Sequence, residues 1–166
     1  MGTDDAALAA LAVRVGRILE QRGWQLATAE SCTGGWIAKL ITDVAGSSAW
    51  FERGFVTYSN AAKHEQLDVP AALLERHGAV SAETVAAMAR GALTRSAAQV
   101  ALSVSGVAGP GGGSEHKPVG TVWLGWALQQ GRVRTRHHVF AGDREAVRRQ
   151  AVAAALAGLT DEFEAG

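Results

Sequence analysis

The sequence predicts a three-layer α/β/α domain on a mixed, mainly parallel β-sheet. Three observations predict it. Short apolar runs at residues 24–28, 54–59 and 99–105 alternate with stretches of helical periodicity. The run "QVALSVS" is apolar enough to be covered on both faces, as strands of parallel sheets are. Late in the chain, "VGTVWLGWAL" and "RVRTRHHVF" flank "QQG" as an antiparallel hairpin.

Each element has a local reason. Thr3 is placed to cap a first helix, with Asp4 and Asp5 at its positive end and a stripe of Leu8, Leu11, Val15, Ile18 and Leu19. Gly23 stops it. The strand "WQLAT" then runs into "AESCTGG", and "GGWIAKLITD" has helical spacing closed by the turn residues of "DVAGSS". After "GFVTYS", read as a strand over Gly54–Ser59, "NAAKHEQL" begins another helix. Pro70 suits the first turn of a short helix, and Ser81 caps "AETVAAMARGALTRS", with Val85, Met88 and Leu93 facing inward. "DREAVRRQAVAAALAGL" closes the chain as a helix. No repeat, linker or low-complexity tract interrupts residues 1–166, which read as a single domain.

Composition narrows the function. Sixteen basic residues balance sixteen acidic ones, so nothing in the totals favours a nucleic acid or a membrane surface as partner. A single cysteine, Cys32, excludes an internal disulfide and a multi-cysteine metal site, and agrees with a reducing, cytoplasmic setting. The first residues are acidic where a signal peptide is basic, and no apolar run reaches the roughly 20 residues of a membrane span. The expectation is a cytoplasmic protein acting on a small molecule, with no metal and no cofactor.

The stretch "TAESCTGGW" (Thr28–Trp36) carries the chemistry worth weighing. On local grounds Ser31 or Thr33 caps the following helix. The same geometry also suits a nucleophile, because a hydroxyl at a strand-to-helix turn meets backbone N–H groups and the helix dipole. Gly34 and Gly35 permit close approach of a ligand. The pattern differs from the G-x-S-x-G elbow of α/β-hydrolases. A serine nucleophile needs a base. None of the five histidines sits in a triad signature, which leaves Lys63, next to the strand bearing Tyr58. Lys63 is either a solvated helix lysine or a base whose ordinary pKa of about 10.4 has been brought down.

The segment "SGVAGPGGGSEHKPVG" lacks the G-K-[ST] ending of a P-loop and leads into a strand rather than a helix. It is either a flexible loop or a cradle for phosphate. Arg132, Arg134 and Arg136 share one strand face and read as a solvated edge. Arg144 sits at a helix start as a candidate anion clamp. Of five tryptophans, Trp36 and Trp50 are the candidates for lining a pocket.

In this order, "AESCTGG", "GSS", "YSNAAK", "GAVS", "SGVAGPGGG", "KPVGTV" and "GDREAVR" resemble the CinA C-terminal domain family of nicotinamide-nucleotide amidases, over roughly Leu8 to Leu156. The resemblance implies hydrolysis of the carboxamide of nicotinamide mononucleotide to nicotinate mononucleotide and ammonia, in pyridine-nucleotide salvage. It implies Ser31 as nucleophile, Lys63 as base and Tyr58 as a helper in proton transfer. Substrate contacts fall to Thr33, Gly34, Gly35 and Ser48, to Ser105, Gly106, Gly109, Gly111 and Gly112, and to Arg144. The family has threonine where this chain has Ser105. It also implies the standalone form and a homo-oligomer, a dimer. A silent nucleotide-binding module and an amidohydrolase for another amide are the competing expectations.

Overall fold

The computed structural model describes residues 2–165. Its elements are α1 (Asp5–Arg22), β1 (Leu26–Glu30), α2 (Trp36–Thr42), β2 (Phe51–Val56), α3 (Asn60–Leu67), α4 (Ala71–His77), α5 (Ala82–Thr94), β3 (Val100–Gly106), β4 (Thr121–Leu128), β5 (Val133–Val139) and α6 (Arg144–Ala165). The strands form one sheet in the order β2-β1-β3-β4-β5. β1 pairs in parallel with both β2 and β3, whereas β3–β4 and β4–β5 are antiparallel. The expected mixed sheet and late hairpin are therefore present.

Two cores sandwich this sheet, and strand alternation sorts residues between them. Leu26, Val100, Leu102 and Val104 face a core built with α1, α2 and α6. Ala27, Ala29 and Ala101 face the core of α3, α4 and α5. The chain leaves β1 on one face through α2 and leaves β2 on the other through α3–α5, returning as β3 on the far side of β1. Such a switch opens a crevice beyond the carboxyl ends of the strands, where ligands bind in open α/β sheets. Among the described residues, no helix is long and apolar enough to cross a membrane.

Several local expectations shift. Asp4, not Thr3, caps α1, its Oδ1 accepting the Ala7 N–H at 2.8 Å. β1 extends to Glu30 because that carboxylate, although charged, is satisfied inside the following turn. β2 begins three residues early and ends before Tyr58: Phe51 registers with Leu26, while Ser59 has already become the cap of α3. The Glu52–Arg53 pair disguised the start of this edge strand. Pro70 sits at the cap position, one residue before α4.

The tryptophans also settle differently. Trp50 is buried in the core against Gly16, where an added Cβ would meet its ring at 2.6 Å. Trp36 lies beneath the guanidinium groups of Arg148 and Arg149. Neither lines the cleft described below.

Candidate active site

Glu30, the last residue of β1, explains the turn that follows. Its buried carboxylate accepts the Thr33 hydroxyl at 2.6 Å and the N–H groups of Ile37 and Ala38 at 2.9 and 3.1 Å. Those amides belong to the first turn of α2, so Glu30 caps this helix and Ser31 and Thr33 do not. The chain between reverses through Gly34 and Gly35, whose φ values of 57° and 99° suit glycine. Ser31 is thereby left free of capping duty at the carboxyl end of β1.

Across the switch, Thr57 and Tyr58 connect β2 to α3, and the Thr57 N–H bonds to the Glu30 carbonyl at 2.8 Å. Ser59 Oγ caps α3 at Ala62, which directs Lys63 inward from the first turn. Lys63 is 1% exposed. Its Nζ lies 2.9 Å from Ser31 Oγ and donates to the carbonyls of Thr57 at 2.9 Å and Tyr58 at 3.2 Å. Burial pulls its pKa from 10.5 to about 8. All three hydrogen-bond partners are uncharged, and the neighbouring Cys32 offsets only part of the effect of burial.

Cys32 is adjacent but different. Burial pushes its thiol up to about 11, which keeps it protonated and a poor nucleophile near neutrality.

Ser31, Lys63 and Tyr58 line a cleft of about 300 Å³ with Ser105, Gly106, Gly109, Gly111, Gly112 and Arg144. The glycine segment between β3 and β4 thus forms one wall. Its base is fixed by Val107 N–H to Thr121 O and Gly120 N–H to Val107 O, both at 2.8 Å. At Gly109, with φ of 82°, a Cβ would fall 2.5 Å from Val119, so the close turn requires glycine. Ala79 and Val80 form the facing wall, and Lys117 ties that side to the loop by donating to the His77 carbonyl at 2.9 Å.

Arg144 opens α6 and lines the cleft as well. Its guanidinium donates to the Gly109 carbonyl at 2.8 Å and lies 3.5 Å from the Tyr58 hydroxyl. Tyr58 therefore meets the serine–lysine pair with its backbone carbonyl, while its phenol, on a residue 64% exposed, sits with Arg144.

Four expected contact residues do not line the cleft. Thr33 is fully buried on Glu30, and Gly34 and Gly35 shape the turn. Ser48 is exposed on the short 3₁₀ turn before β2, at the end of that strand remote from Tyr58.

The sequence reading missed Glu30 and Arg148. Arg148 donates to the carbonyls of Cys32 at 3.0 Å and Thr33 at 3.3 Å. The signals were a carboxylate ending an apolar strand run and an arginine four residues beyond Arg144. The Thr57 and Tyr58 carbonyls left no side-chain signal at all.

This is an α/β domain with a buried hydroxyl–amine pair at the switch point of its sheet, facing a glycine-walled, arginine-lined cleft. The chain belongs to the CinA C-terminal domain family, which matches residues 8–163. It is 57% identical over 159 residues, 96% of each chain, to the nicotinamide-nucleotide amidohydrolase PncC of Escherichia coli K12. Identity to the protein of that name from Enterobacter agglomerans is 60% over 153 residues, covering 92% of this chain and 93% of that one. A CinA superfamily crystal structure from Klebsiella pneumoniae superposes with a TM-score of 0.92 at 43% identity, covering 96% of this chain and 99% of that one.

Proposed function

We propose that this chain hydrolyses the carboxamide of nicotinamide mononucleotide through Ser31, with Lys63 as general base. The amidohydrolase class rests on the near full-length relatives. The observation that carries the mechanism is the surroundings of Lys63 Nζ. A neutral amine has two N–H donors and one lone pair, and carbonyls only accept. The ammonium form donates to Ser31 Oγ at 2.9 Å; once neutral, with the Thr57 and Tyr58 carbonyls taking its two N–H groups, the amine turns its lone pair to that oxygen. The serine proton then has an acceptor.

In the reaction, Ser31 Oγ adds to the amide carbon as its proton moves to Lys63. The tetrahedral adduct collapses with cleavage of the C–N bond, Lys63 returning the proton to the departing nitrogen, which leaves as ammonia. Water then attacks the acyl ester, Lys63 again taking a proton, and nicotinate mononucleotide departs with Ser31 restored. The sum is amide plus water giving acid plus ammonia. Arg144 and the glycine wall hold the ribose phosphate, which supports a salvage role for the mononucleotide rather than the free base.

Ammonia release from the mononucleotide, its riboside and nicotinamide tests this reading. The mononucleotide should be the best substrate, and Arg144→Ala should narrow its lead by raising KM about 10- to 100-fold. Tight binding without ammonia would select a silent module. Equal hydrolysis of all three would remove the phosphate subsite.

A further inference from the structure

Ser31 is joined to β3 by its N–H to the Val104 carbonyl at 3.0 Å, but the turn beyond it has little to hold it by itself. Its internal bonds are Gly34 N–H to Ser31 O at 3.1 Å and Trp36 N–H to Thr33 O at 3.0 Å. It contains two glycines in left-handed conformation and leads into a seven-residue helix with no side-chain bond from its Gly35 cap. Two charged side chains supply the missing constraint. From the core, Glu30 takes the Thr33 hydroxyl and the first free amides of α2. From α6, Arg148 takes the Cys32 and Thr33 carbonyls. They meet at Thr33, whose hydroxyl is held by one and whose carbonyl is held by the other.

The placement of Arg148 adds a second consequence. It follows Arg144 by four residues, one helical turn, on α6. The helix that presents Arg144 to the cleft therefore also grips the turn that presents Ser31. The distance between the anion-holding end and the attacking oxygen is set through one rigid element.

We propose that Glu30 and Arg148 are positioning residues that hold Ser31 Oγ in line with Lys63 and at a fixed reach from Arg144. This rests on Ser31 being the nucleophile. Attack demands reacting atoms about 3–3.5 Å apart, and a displacement of about 1 Å costs on the order of 100-fold in rate. Loosening the clamp therefore acts on turnover. The substrate continues to bind through groups that the clamp does not touch.

The experiment compares Arg148→Met, Arg148→Lys and Glu30→Gln with the unaltered protein in three measurements. These are kcat and KM on the mononucleotide, the rate at which a small sulfonyl fluoride modifies Ser31, and thermal melting. The sulfonyl fluoride carries no phosphate, so it reads the nucleophile without involving Arg144. Arg148→Met should lower kcat about 10- to 100-fold, with KM within about threefold, and slow sulfonylation in parallel. Arg148→Lys, which keeps a charge but not the fork, should recover part of both rates. Glu30→Gln should lose less than Arg148→Met, since one acceptor oxygen remains. If Arg148→Met does not fold, Arg148→Lys at native melting temperature decides the matter. Folded variants with kcat and sulfonylation within twofold of normal would overturn the proposal. Failure of the unaltered protein to be modified at Ser31 would overturn the nucleophile assignment instead, and the clamp with it.

Discussion

Lys63 and Glu162 are both ionisable side chains withdrawn from water, and the fold treats them in opposite ways. Glu162, near the end of α6, has a side chain 2% exposed and faces Arg134 at 2.8 Å and Arg132 at 3.4 Å. Those arginines were expected to form a solvated edge of β5; they are half-exposed partners of a buried carboxylate, with Arg136 reaching Asp161 at 3.6 Å. Lys63, 1% exposed, is given a hydroxyl and two carbonyls and no carboxylate. Opposite charges offset the cost of burying Glu162, whereas the cost at Lys63 appears as a proton held loosely. The first arrangement joins an edge strand to a helix. The second leaves an amine suited to the base role proposed above.

The largest test of this contrast is to remove the oxygen that Lys63 serves. Ser31→Ala should lower kcat by on the order of 10⁴-fold or more while the protein melts normally and still binds the nucleotide. Cys32→Ala should stay near normal, because that thiol is held protonated. A dead Cys32→Ala beside an active Ser31→Ala would reverse the roles.

Altering the lysine comes next. Lys63→Met and Lys63→Arg should each lose at least about 10³-fold, since guanidinium does not give up its proton. The unaltered enzyme should gain rate as pH rises through about 8, where Lys63 becomes neutral, and then level off. Stability should move in the same direction. The unfolded lysine keeps its proton up to about 10.5 and the folded one only to about 8, so between these values the unfolded chain binds more protons. Folding therefore gains stability as pH climbs through that window, and the full penalty, up to about 3 kcal/mol, applies below it. Lys63→Met should melt no lower than the unaltered protein at pH 7, with any advantage shrinking above pH 8. A Lys63→Arg variant with normal turnover would show that the residue supplies charge alone.

At the other buried charge the effect should be on stability only. Arg134→Met strands Glu162 with one weaker partner and should cost toward the lower end of about 3–5 kcal/mol in denaturant unfolding. Glu162→Gln should cost less, about 1–3 kcal/mol, because half-exposed arginines recover hydration. Activity per folded molecule should be unchanged in both. If Glu162→Gln proved the more damaging, the arginines would be the groups in need of compensation.

The smallest expected effect is none: prolonged chelator treatment should leave the rate unaltered. Among the described residues no group of three or more His, Cys, Asp or Glu side chains is placed to hold a metal ion. Loss of activity restored by zinc or manganese would replace the serine–lysine chemistry.

Much of this was legible along the chain. The short apolar runs and helical stripes specify the layers because burying apolar surface is a local requirement, repeated element by element. The glycine segment and Arg144 stood out as candidates for ligand contact, and both line the cleft. Ser48 and Thr33 were less legible. Short hydroxyl residues in turns suit caps, internal bonds and ligands equally, and only their neighbours in space distinguish the uses. Thr33 was claimed by Glu30, and Ser48 lies at the wrong end of β2 for the cleft.

The sequence by itself determined which residues have chemistry to offer: a serine in a glycine turn, a lysine early in a helix, an arginine opening another. Only the tertiary structure decided that they line one cleft. Ser31 and Lys63 are 32 residues apart, and Arg144 approaches the Tyr58 hydroxyl from 86 residues further along the chain. The pairing of β1 between β2 and β3 brings the first two to one crevice, and the packing of α6 supplies the third. The lysine's lowered pKa is likewise a property of position, since it arises from the removal of water by surrounding chain and from the absence of a carboxylate there. A residue's type sets what proton it can carry; the fold around it sets whether it gives that proton up.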